Sequence, residues 1–472
     1  MINSKAQLAA IAQEFEIDLP PVAQNAMASL LTRLEQGLAW PEWETDHPPS
    51  HTPEPEDHFS DSVTQMSDDI EEALSRARLA NVGGAYSYID DSGARKAVQK
   101  KNSGPLAGIP VAVKDIIAVA GRPLGASSAV REGTPTSLSD APVVAALRQA
   151  GAFVIGTTVL HEFAFGVTGI NDYSGTPRNP HDASRIPGGS SSGSAVAVAE
   201  GSARIAVGTD TGGSIRIPAA LCGIVGFKPA FGTYPIGGVF PLSPTLDHVG
   251  FLARSVADIR RAHNVFSQSE SGKNRPARVG LVEADLAQCD QTVQTRFGKI
   301  LQLLRDDGCE LVDITAYWPN SEDVFTVSTA IMFSEAAAIH KKNLRQHADR
   351  YGEDVRNRLV QGLAISAADY VMALRMRQKL QEKVQSTMTI VDCIIGPTAG
   401  IVAPKIKDAQ APEIASQLVA FTRLGNVVGL PAISLPLSGD GLPVGLHILS
   451  VDNNQTLKLA SYFEELGDLI QD

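Results

Sequence analysis

The chain has 472 residues, long enough for one large or two to three ordinary domains, and its 43% hydrophobic and 19% charged residues are those of a folded globular protein. A formal net charge of -12, with no Lys/Arg stripe, argues against nucleic acid as a partner. Cys222, Cys289, Cys309 and Cys393 have no CxxC or Cys/His ligand spacing, which argues against a disulfide framework and a zinc site and suits reduced thiols in a cytoplasmic protein.

The first residues, MINSKAQLAAIAQEF, have no basic region followed by a long apolar run, and nowhere do 18 apolar residues follow one another, so export and membrane spanning are both disfavoured. Residues 1–40 read as an N-terminal helical segment. Leu8, Ile11 and Phe15, then Met27, Leu30, Leu31 and Leu34, recur at helical spacing, and Pro20-Pro21 separates the two halves. Residues 41–63 carry prolines and acids with little apolar content, which predicts an extended linker, either a spacer or a strap over the domain that follows.

From residue 64 to 472, short Val/Ile/Ala-rich runs alternate with helical patterns: IPVAVKDII, APVVAALRQAGAFVIGT, ARIAVGTD, DCIIGPTAG, AISLP and VGLHILS. This rhythm predicts an α/β domain with a large mixed β-sheet core surrounded by α-helices. A helix-rich insertion is expected at about 285–385.

The most unusual stretch runs from Pro187 to Pro229, with two Gly/Ser loops flanking a small-residue helix (AVAVA) and a buried strand (ARIAV). Glycines let a backbone approach a ligand closely and point successive N–H groups into one concavity, as an oxyanion site requires. GSSSG at 189–193 also matches a nucleophile elbow centred on Ser191, but an elbow needs a strand immediately before the serine, and NPHDASRIPGG is a polar loop. His161, His248 and His447 lie in the α/β region without a motif and read as structural or surface histidines.

PGGSSSGSAVAVAEG followed by TDTGGSIRIPAALCGIVGFKP resembles the signature segment of the Amidase Signature family. AGIPVAVKDII, SGTPRNP, LSPTLDHVGFLARSV, GNVVGLPAISLP and LPVGLHI extend the resemblance over most of residues 64–472. It implies a serine amidohydrolase in which Ser214 is the nucleophile, Ser190 the adjacent base after a cis peptide, and Lys114 the lysine behind it, with no metal and no cofactor. An apolar setting from Val111, Ala112, Val113, Ile116 and Ile117 would lower the lysine's pKa, while neighbouring Asp115 should face away from it. The same resemblance implies an oxyanion hole from the N–H groups of Thr211, Gly212, Gly213 and Ser214. It also implies a hydrogen bond from Ser191 to the lysine, and a loop-fixing role for Asp210 and Arg216.

Phe163, Phe165, Ile170, Tyr173 and Ile215 are candidate walls of a partly apolar substrate pocket. The partner expected is a small-molecule amide or ureide, and the residues leave a homodimer open. A glutaminase subunit of a tRNA-dependent amidotransferase is the alternative, but where that subunit carries an acid seven positions before its motif asparagine, here Asn426, this chain has Val419. A non-catalytic scaffold of the same fold is a lesser alternative. The N-terminal segment resembles the small helical partner subunits of the amidotransferase C and carboxybiuret hydrolase type, which implies that it wraps the catalytic domain and replaces a separate partner.

Overall fold

The computed structural model describes residues 4–38, 70–99, 104–267, 269, 272–437 and 439–468. The expected linker at 41–63 lies outside the described residues. Eleven strands form one mixed sheet: β1 (Tyr86–Ile89), β2 (Pro110–Lys114), β3 (Phe153–Thr158), β4 (Ile205–Asp210), β5 (Val225–Lys228), β6 (His248–Ala253), β7 (Arg278–Leu281), β8 (Glu310–Asp313), β9 (Cys393–Pro397), β10 (Ala432–Leu437) and β11 (Val444–Leu449). Their order is β1-β3-β2-β4-β6-β5-β10-β11-β9-β7-β8. β2 runs parallel to β3 and β4, β7 runs parallel to β8 and β9, and the other neighbours are antiparallel.

Every residue of β3, β4, β6 and β11 is buried, because helices cover both faces. Such strands show as continuous apolar runs, the pattern that marks β2, β3, β4, β9, β10 and β11 in the sequence. The stretch at about 285–385 is not helical throughout. Besides the helices Gln291–Asp306, Ser321–His347, Glu353–Ala364 and Ala367–Thr387 it contributes β8, which extends the sheet beside β7.

Small side chains decide how closely helices approach the centre of the sheet. In the helix Ser192–Ala199, residues Ser192 to Val198 are all buried, and the Gly193 amide donates to the Val159 carbonyl at 2.9 Å. A Cβ on Gly193 would stand 2.1 Å from the Ala85 carbonyl oxygen, so this position has no room for a side chain. The helix Arg216–Cys222 is likewise fully buried and ends at Gly223, whose φ of 69° is the left-handed cap that glycine adopts most readily.

The N-terminal helices Ser4–Glu14 and Pro21–Gly37 pack together and against the helices Ser321–His347 and Glu353–Ala364. Proline at the first position of the second helix is pre-set for a helix start. Leu8, Phe15, Met27 and Leu31 join the main hydrophobic core, and the Gln7 side chain donates to the Ala364 carbonyl at 3.0 Å. Arg33 pairs with Glu322 and Arg345 with Glu14 at the half-exposed margin.

Gly193→Ala is expected to destabilise the protein by about 1–3 kcal/mol or more through overpacking against backbone. Urea denaturation reads this directly. A wild-type midpoint would mean that this helix does not sit against the Ala85 and Val159 carbonyls.

Candidate active site

Lys114, the last residue of β2, is fully buried. Its Nζ donates to Ser190 Oγ at 2.8 Å, to Thr209 Oγ1 at 2.8 Å and to the Thr209 carbonyl at 3.4 Å. Burial pulls the amine down to about 7, against the opposing pull of the Asp210 and Asp247 carboxylates. Asp115 turns away, as the alternation of a strand requires. Its carboxylate accepts from the Gly125 amide at 3.2 Å, and burial raises it to about 6.

Ser190 follows a cis peptide bond from Gly189, and its carbonyl accepts from the His161 amide at 3.1 Å. The Ser191 amide donates to the Ser214 carbonyl at 3.1 Å, so one backbone bond joins the two Gly/Ser loops. The Ser191 hydroxyl corrects an expectation. It donates to the Thr209 carbonyl at 3.2 Å and makes no bond to Lys114 among the described residues; that place is taken by Thr209, the residue before Asp210 on the adjacent strand β4.

Asp210 and Arg216 form an ion pair with both side chains fully buried. Arg216 donates to the Asp210 carboxylate from Nε at 3.0 Å and from Nη2 at 2.9 Å, to Asn426 Oδ1 at 2.7 Å, to the Thr422 carbonyl at 2.9 Å and to His447 Nε2 at 2.8 Å. Asn426 closes the circuit by donating to the carbonyl and carboxylate of Asp210, at 2.8 and 2.9 Å. Burial alone would raise the Asp210 carboxyl, but Arg216, Lys228 and Asn426 more than offset it and hold the group well below the usual carboxylate range. Burial and the Arg216 charge keep His447 neutral, which leaves its Nε2 lone pair to accept.

The loop from Thr211 to Ser214 hangs on this network. The Gly213 amide donates to Asp210 at 2.8 Å and the Ile215 amide at 3.1 Å. Gly213 is therefore corrected as an oxyanion donor, because its N–H is already committed to a carboxylate. The amides of Thr211, Gly212 and Ser214 have no protein acceptor among the described residues. Thr422 Oγ1 donates to the Gly212 carbonyl at 2.7 Å, and Thr211 Oγ1 donates to Asp247 at 2.6 Å. Thr209, Asp247 and Thr422 were not singled out from the sequence.

Of the expected wall residues, three are core. Phe163 is fully buried among Phe240, His340 and Tyr351, Phe165 packs edge-on to Phe333, and Ile215 is fully buried against the sheet. Ile170 and Tyr173 line a cleft of about 540 Å³ together with Glu162, Arg350, Asp354 and Arg358. That wall is mixed, with Tyr351 and Ala409 beside the charged groups. His161 sits behind it as a structural residue, its ring paired with Asp354 at 3.0 Å. His248 hydrogen-bonds the Leu246 carbonyl at 2.7 Å.

The Amidase family profile matches residues 68–454. Indoleacetamide hydrolase of Pseudomonas savastanoi is 35% identical over 376 residues, covering 75% of this chain and 82% of that protein. The A-type subunit of glutamyl-tRNA(Gln) amidotransferase from Symbiobacterium thermophilum is 32% identical over 420 residues, covering 79% and 86%. A crystal structure described as an amidase superposes with a TM-score of 0.78 at 34% identity, covering 84% of this chain and 95% of its own. The chain belongs to the Amidase family, and with relatives that cleave amides it is an amide-hydrolysing enzyme.

Proposed function

We propose that the protein cleaves a carboxylic amide or ureide C–N bond through an acyl-enzyme on Ser214. The observation that carries this reading is Lys114, buried, at 2.8 Å from Ser190 Oγ and with its amine lowered to about 7. A neutral amine there accepts a proton from Ser190, which in turn takes the proton of Ser214 as that hydroxyl attacks the carbonyl. The same relay returns the proton to the leaving nitrogen, releasing ammonia or an amine. Water entering along it then hydrolyses the ester. The uncommitted amides of Thr211, Gly212 and Ser214 suit the developing oxyanion, and each such donor is typically worth about 3 kcal/mol.

Val419 supports a self-contained hydrolase over a glutaminase subunit. It is buried in an apolar cluster with Ile186, Ile217, Leu221 and Leu418, a setting that offers no carboxylate to a substrate ammonium. The buried, unpaired cysteines suit a cytoplasmic location. The N-terminal helices, packed on the helices Ser321–His347 and Glu353–Ala364, support their reading as a built-in clamp on the catalytic domain.

A fluorophosphonate probe is expected to label Ser214, and Ser214→Ala to abolish turnover of every amide and ureide in a panel assayed for ammonia or amine release. Labelling mapped to another serine by mass spectrometry would move the nucleophile. Because protonated Lys114 cannot accept a proton, kcat/KM should fall about tenfold per pH unit below about 7 and level off above it. A flat profile from pH 5 to 8 would remove Lys114 from the relay. Deleting residues 1–62 should lower both the melting temperature and activity, since Leu8, Met27 and Leu31 leave the core with it. If both stayed at wild-type values, the clamp reading would fail.

A further inference from the structure

Arg423 opens the helix Arg423–Val428, directly after the Thr422 that anchors Gly212. Its side chain runs alongside the nucleophile loop. A Cβ placed on Gly212 would lie 3.6 Å from Arg423 Cγ and 3.4 Å from Met332 Cε. Further out, Nη1 donates to Ser328 Oγ at 3.0 Å and Thr329 Oγ1 at 2.7 Å, and the guanidinium lies 4.7 Å from the centre of the Phe325 ring. These contacts fix the plane of the group, yet every one of them is neutral.

Among the described residues no carboxylate pairs with Arg423. Arg216, by contrast, has Asp210, and Arg358 has Asp354. Burial lowers the Arg423 guanidinium to about 10, and the neighbouring charges that act on it are two more arginines, Arg358 and Arg33. The group thus remains a cation at neutral pH, half removed from water, with no counter-charge. A cation in that position is unfavourable unless an anion completes it. Among the described residues only Nη1 finds a hydrogen-bond acceptor, which leaves Nε and Nη2, one edge of the fork, for a two-point contact with a carboxylate.

We propose that Arg423 is a specificity-determining residue that receives an anionic group on the acyl portion of the substrate, so that the preferred amides are those of dicarboxylic acids. This rests on the amidase reading above. The anion comes from the substrate because no described residue supplies one, and because the same side chain borders Gly212, whose amide is uncommitted among the described residues. Guanidinium and nucleophile loop then define the two ends of one molecule, a charged end and a scissile end.

The test uses the purified full-length protein and two series: monoamides of malonic to adipic acid, and neutral straight-chain amides of matching length. At least one monoamide is expected to exceed its neutral counterpart at least tenfold in kcat/KM. Arg423→Met should collapse that ratio at least tenfold, chiefly through KM, while Arg423→Lys, which keeps the charge but loses the planar fork, should retain part of it. Neutral amides preferred by the wild type, or an equal ratio in wild type and Arg423→Met, would overturn the proposal while leaving fluorophosphonate labelling of Ser214 intact. Absence of both labelling and turnover would instead remove the amidase reading, and the proposal with it.

Discussion

The structure around the candidate site depends on one fully buried ion pair, Asp210 with Arg216. Two charges taken out of water are tolerated only when every remaining donor and acceptor is satisfied, and the loss of one partner leaves the other uncompensated at a cost of about 3–5 kcal/mol. Here the requirement is met partly by the neighbouring amides of Gly213 and Ile215 and partly by groups distant in the chain, Asn426 and Thr422 from the C-terminal segment and His447 from β11. The position of the loop from Thr211 to Ser214 is therefore set by residues more than 200 positions downstream. A pair that contributes little net stability thus has a clear role in specifying one geometry.

The same pair governs the lysine. Burial pushes the Lys114 proton off, and the carboxylates of Asp210 first and Asp247 second pull it back. An unattended carboxylate in that place would keep the amine charged. Asp210 is already claimed by the Arg216 guanidinium, and burial outweighs the pull of Asp210 and Asp247 to leave the amine at about 7. Thr209 adds a neutral acceptor on each side of the exchange, holding the amine toward Ser190 without fixing its charge. Orientation and proton affinity are thus controlled by different neighbours.

Legibility in the sequence divides along the same line. The glycine loops, the small-residue helix and the apolar runs of β2, β4, β9, β10 and β11 depend on local steric and burial needs that leave a local trace. The four-residue β7 and the edge strand β8 leave a weaker one, since both are short and no residue of β8 is buried. Thr209 was not legible because its contact to Lys114 arises from the register between β2 and β4, in which Val113 is level with Val207, and a register is not written in either strand alone. Gly213 was misread as an oxyanion donor for a related reason: glycine spacing indicates that N–H groups converge, but not which are already occupied by a carboxylate. Phe163 and Phe165 were misplaced because an aromatic near a site and an aromatic in the core are the same letter.

The N-terminal helices meet this machinery through a ring. Arg33, on the second of them, lies 4.6 Å from the centre of Phe325, the ring that also carries Arg423 at 4.7 Å. Phe325 and the hydroxyls of Ser328 and Thr329 belong to one helix, so whatever settles the helix Ser321–His347 settles the Arg423 guanidinium. The N-terminal pair buries its apolar face against that helix. A segment remote in sequence from the glycine loops is in this way connected to them by packing, through the shared Phe325 ring.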